Sequence, residues 1–68
     1  MTKIDKSKPV SERLVMARGS RTQNEVAEAV GIGRSALGMY EKGLRIPRDS
    51  VKVRLADYYK IPVQELFF

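Results

Sequence analysis

Two glycines separated by a single residue, Gly31-Ile32-Gly33, restrict this chain more than any other feature. A capping box precedes them. In Thr22-Gln23-Asn24-Glu25 the threonine hydroxyl can accept from the Glu25 amide, while the Glu25 carboxylate reaches back to the Thr22 amide. Val26, Ala27 and Val30 then form an apolar stripe, which predicts a helix over about 22–29 that stops at Gly31. Ile32 alone separates that stop from Gly33, a residue able to cap the start of a new helix. Leu37 and Tyr40, at i and i+3, give this next helix a buried side over 34–41, and Gly43 ends it. Two short helices joined so tightly must turn sharply on each other, and the small Ala27 suits the point where they cross.

The rest of the chain reads as further short helices. Pro9 suits a first helical turn, and Val10, Leu14 and Ala17 follow at i, i+4 and i+7, with Gly19 as the stop, so a first helix is expected over 9–18. Lys42 to Arg48 contains a glycine and a proline and reads as a loop. Asp49 or Ser50 can cap a fourth helix that buries Val51, Leu55 and Tyr58 or Tyr59 and runs to about 59. Ile61-Pro62 breaks it, and Pro62 can open a last helix over 62–66. No segment sustains the alternation of a strand. The expected fold is all-α, five compact helices in a domain over 9–68, preceded by a flexible basic arm over 1–8. That arm orders against a partner or remains a simple tail; in either case its removal should leave the fold intact.

Composition narrows the chemistry. The chain has 68 residues and neither cysteine nor histidine, which removes disulfides, thiol nucleophiles, histidine triads and the common zinc sites together. Glu25, Glu28 and Glu41 are accounted for by a cap, a solvated face and a turn, so no catalysis, cofactor or small-molecule substrate is expected. No apolar run approaches the ~20 residues that span a bilayer. The opening residues lack the apolar core of a signal peptide, and a soluble cytoplasmic domain without membrane contact is expected. The net charge is +5, and it is concentrated. Arg34, Lys42, Arg45, Arg48, Lys52 and Arg54 against Glu41 and Asp49 leave +4 in residues 31–54, and Lys3, Lys6 and Lys8 against Asp5 add +2 at the start. Such a region suits a polyanionic partner, although a solvated surface would carry the same charge.

An ordinary helical hairpin would satisfy the glycine spacing alone. The longer string from Thr22 through Gly43, with its Thr-Gln opening, Ala27, Gly31, Ile32, Leu37 and Tyr40-Glu41-Lys42-Gly43 ending, resembles the DNA-binding domain of lambda-repressor-like, Cro-type (xenobiotic-response-element-type) helix-turn-helix regulators. Arg45-Ile46-Pro47 resembles the family's basic loop, and the likeness extends over about 10–67. The chain departs from the family in a shorter link between the first two helices. It also carries Arg48-Asp49 where the family commonly has a serine and an aliphatic residue. The resemblance implies sequence-specific double-stranded DNA binding by a transcriptional regulator of repressor type, phage or bacterial, acting as a homodimer. A protein-interaction module such as an antitoxin or adaptor is the alternative use of the same fold.

In such domains the third helix enters the major groove. Because Leu37 and Tyr40 point inward, Arg34, Ser35, Gly38 and Met39 form its exposed face and are the base-contacting candidates. Arg34 can give two hydrogen bonds to guanine O6 and N7; a phosphate contact or a free surface position is its other reading. Ser35 discriminates less, Gly38 permits close approach, and Met39 either meets a thymine methyl or joins the core. The resemblance implies that Gln23 bonds a phosphate and that Lys42 and Arg45 grip the backbone. Thr22, at a positive helix end, is a further phosphate candidate. Glu41 is implied to tie the following turn or a nearby arginine. At the C-terminal end Tyr58, Tyr59, Val63, Leu66, Phe67 and Phe68 either make a self-complementary dimer patch or fold back on the core.

Overall fold

A computed structural model describes residues 4–68, as five α-helices: α1 Val10–Arg18, α2 Gln23–Val30, α3 Arg34–Glu41, α4 Asp49–Tyr59 and α5 Val63–Phe67. There is no strand among the described residues. Each helix starts and stops within a residue of its local signals. Thr22 caps α2, accepting from the Glu25 amide at 3.0 Å while Glu25 Oε1 accepts from the Thr22 amide at 3.4 Å. Pro9 and Pro62 stand one position earlier than expected, as the N-caps of α1 and α5. Arg48 rather than Asp49 or Ser50 occupies the cap of α4, and Asp49 lies in the first turn, where its charge faces the positive helix end.

Every helix contributes one fully buried aliphatic side chain to a single core: Leu14, Val26, Leu37, Leu55 and Leu66. Ala17, Ala27, Val30, Tyr40, Val51, Tyr59 and Phe67 close around them. α3 packs between α1 and α2, and α5 lies back across α4 and α1. That return explains the fate of the C-terminal residues. Tyr59, Leu66 and Phe67 are spent inside the monomer, which corrects their assignment to a dimer surface. Tyr58 and Val63 are half-buried against the same core, and Phe68 alone stands out, 64% exposed.

The expected arm also requires correction over residues 4–8. Ile4 is a core residue, only 5% exposed. Arg13, buried on α1, holds the segment down: its guanidinium donates to the Lys8 carbonyl at 2.8 Å, the Lys6 carbonyl at 2.9 Å and the Glu65 carbonyl at 3.4 Å. A charge removed from water needs such acceptors, and these three join the N-terminal segment to α5. Lys3 and the two residues before it lie outside the described residues.

Candidate nucleic-acid interface

The turn between α2 and α3 sets the geometry of the site. Gly31 adopts φ 79° and ψ 38°, and its amide and that of Ile32 both donate to the Ala27 carbonyl, at 2.9 and 3.0 Å. A side chain at Gly31 would be strained by this backbone. It would also lie 3.3 Å from Arg54 Nη1, which donates to the Val30 carbonyl at 3.1 Å and closes α4 over the turn. Arg54 therefore belongs to the scaffold, although its charge was counted with the basic region.

With Leu37 and Tyr40 buried, the outer face of α3 comprises Arg34, Ser35, Gly38 and Met39, continued by Lys42. These five, with Gln23 of α2 and Leu44 of the following loop, line one open hollow of about 370 Å³. The base-contacting candidates thus share a surface with two of the phosphate candidates, Gln23 and Lys42. Thr22 is exposed at the adjoining helix start, its hydroxyl oxygen engaged in the cap. Arg45 does not join the hollow. It lines a separate cleft of about 340 Å³ with Val10, Leu14, Ile46, Pro47 and Phe67.

Beneath the hollow, Glu41 joins three helix ends. Its Oε2 meets Arg18 Nε at 2.8 Å, and its Oε1 accepts from Arg18 Nη2 at 3.2 Å and from Gln23 Nε2 at 2.8 Å. The hydrogen bonds to Glu41 raise the Arg18 pKa above the ordinary arginine value. Arg18 Nη1 donates to the Arg21 carbonyl at 2.8 Å, and the Arg21 guanidinium lies over the Tyr58 and Tyr59 rings at 5.3 and 5.4 Å. Arg13, Arg18, Arg21 and Arg54 are thereby all engaged in structure. Arg34, Lys42, Arg45 and Arg48 are left as exposed cations along α3 and its following loop. One lining residue was not foreseen from the sequence: Leu44, 70% exposed beside Met39. The same loop carries a second exposed apolar residue, Ile46, so nothing local singles Leu44 out.

Two consecutive helices packed about a glycine turn, the second presenting a polar and cationic face, define a helix-turn-helix domain. The helix-turn-helix family model matches residues 13–66, and the chain belongs to the lambda-repressor-like helix-turn-helix family. It is similar to the cryptic phage CTXphi transcriptional repressor RstR of Vibrio cholerae, with 39% identity over 44 residues. That match covers 65% of this chain and 40% of the repressor's length. It is also similar to the solution structure of the SOS-response transcriptional repressor LexA from Eubacterium rectale. The TM-score is 0.82 at 30% identity, over all of this chain and 74% of that one.

Proposed function

We propose that this domain binds double-stranded DNA sequence-specifically as the reading head of a transcriptional repressor, with α3 in the major groove. The observation that carries this reading is the division of α3: Leu37 and Tyr40 are committed to the core while Arg34, Ser35, Gly38 and Met39 stand together outside. Both similar proteins named above are transcriptional repressors, which supports the same use here. Arg34 reads a guanine edge, and Ser35 and Met39 meet neighbouring bases. Gln23 retains one amide hydrogen beyond its bond to Glu41. With the first-turn amides of α2, which have no acceptor within the helix, and with Thr22, it grips a phosphate. Lys42 and, from the flank, Arg45 hold the backbone on the far side.

The domain acts as a homodimer on a twofold-symmetric site, in the cytoplasm where such DNA resides. With Tyr59, Leu66 and Phe67 committed to the core, Phe68 and the exposed edges of Tyr58 and Val63 are what the C-terminal region offers a second copy. Selection of bound duplexes from a random pool tests the reading. It should return a recurrent motif in two inverted halves, centres about one helical turn apart. A pool with no enriched motif overturns the proposal.

A further inference from the structure

Gly38 is a residue that the protein itself does not explain. It lies in mid-helix and is not among the residues with positive φ, so no left-handed backbone calls for glycine there. A methyl group built on it would sit 3.9 Å from Gln23 Oε1, ordinary contact distance, so internal packing does not call for it either. Glycine is also the poorest helix former after proline, and alanine the best. The advantage of a bare backbone at this position must therefore lie outside the chain.

The missing side chain deepens the hollow on α3, whose lining is chemically mixed. Gln23, Arg34, Ser35 and Lys42 offer hydrogen-bond donors, whereas Met39 and Leu44 offer only apolar surface. Leu44 is held in place: its amide donates to the Met39 carbonyl at 2.9 Å, and Gly43, with φ 75°, turns the chain back to allow it. Two exposed apolar side chains thus share one hollow with a bare stretch of helix and the cations Arg34 and Lys42. Major-groove base edges present donors, acceptors and one apolar group, the thymine 5-methyl.

We propose that the Gly38 hollow seats the 5-methyl group of a thymine, with Met39 and Leu44 as its walls. Leu44, which lies outside α3, is then a specificity-determining residue. The inference rests on the major-groove reading proposed above and adds which base one position must hold. It also explains the glycine: a side chain there would occupy the floor that the methyl group needs.

The test uses the duplex recovered by selection, with each thymine replaced in turn by deoxyuridine, which removes the methyl group and leaves the base pairing unchanged. At one thymine per bound domain, affinity measured by fluorescence anisotropy should fall about four-fold, the worth of one buried methyl. Leu44→Ser should lose a similar factor on the thymine duplex and bind thymine and uracil equally at that position. Gly38→Ala should do the same while melting at a higher temperature. If every uracil duplex binds as tightly as its parent while a scrambled duplex binds weakly, the seat is overturned and the DNA reading stands. If Leu44→Ser keeps the full thymine preference, its role as a wall is overturned. If the selected duplex binds no better than the scrambled one, both readings fall.

Discussion

Gln23, the first residue of α2, donates its side-chain amide at 2.8 Å to Glu41, the last residue of α3. Arg18, the last residue of α1, meets the same carboxylate at 2.8 Å. One nearly buried carboxylate thus fixes three helix ends, and it orients Gln23 while leaving part of its amide free to act. The scaffold and the proposed phosphate contact share an anchor.

Glu41→Ala should consequently do two things. It leaves the Arg18 cation, whose side chain is only 21% exposed, without its partner, and should cost about 2–4 kcal/mol in a urea melt. It also releases Gln23, and under conditions where the variant is folded its affinity should fall alike for selected and scrambled duplexes, since a phosphate contact carries no sequence. An affinity loss confined to the selected duplex would contradict this role.

The N-terminal segment gives a prediction opposite to that of a loose arm. Ile4 sits in the core, and the carbonyls of Lys6 and Lys8 satisfy Arg13. Ile4→Ala should destabilise by about 2–3 kcal/mol, and deletion of residues 1–8 by more. In a domain of this size the single substitution lowers Tm by about 10 °C or more, measurable by circular dichroism. An unchanged Tm in the deletion would restore the arm.

How far the sequence foretold these arrangements depended on the range of the interaction. The capping box at Thr22, the stop at Gly31 and the apolar spacing of Leu37 and Tyr40 are signals contained within a turn or two, and the helices they mark were legible. So was the outer face of α3, because it is what remains once Leu37 and Tyr40 turn inward. The burial of Ile4 depends on Arg13 finding carbonyls at residues 6, 8 and 65, and nothing local announces such a clip. The committed state of Leu66 and Phe67 depends likewise on α5 folding back across α1 and α4. An apolar C-terminal run reads the same whether it meets its own core or a second copy.

Tyr59 gives a pH test. Burial is the main cause that pushes its hydroxyl up to about 12, from an ordinary value of 10.0, and its Oη has no hydrogen-bond partner among the described residues. The folded state therefore favours the protonated form. The resulting stability is fully present below pH 10 and is lost as the pH rises toward 12. Tyr59→Phe should lose that part of the alkaline decline. It should also be neutral or up to about 1 kcal/mol more stable at pH 7, since it removes a buried unsatisfied hydroxyl. Matched urea melts at pH 7 and pH 11 decide it; a parallel decline in both proteins would contradict the assignment.

Arg34 and Lys42 should separate base reading from backbone grip. Arg34→Ala should cost about 1–3 kcal/mol on the selected duplex and relax one base pair per half-site. Lys42→Ala should weaken every duplex similarly and make the salt dependence shallower by about one per domain. An unchanged consensus selected by the Arg34→Ala protein would make Arg34 a phosphate or surface residue.

In the proposed complex α3 lies in the major groove with Arg34 on a guanine. Methylation interference on the selected duplex tests it most directly, because dimethyl sulfate blocks guanine N7 in the major groove and adenine N3 in the minor groove. With the wild-type domain, guanine N7 methylation should interfere at each half-site. In Arg34→Ala the interference should vanish at one guanine per half-site and persist at any others. Interference confined to adenine N3, or an Arg34→Ala pattern identical to wild type, would contradict it.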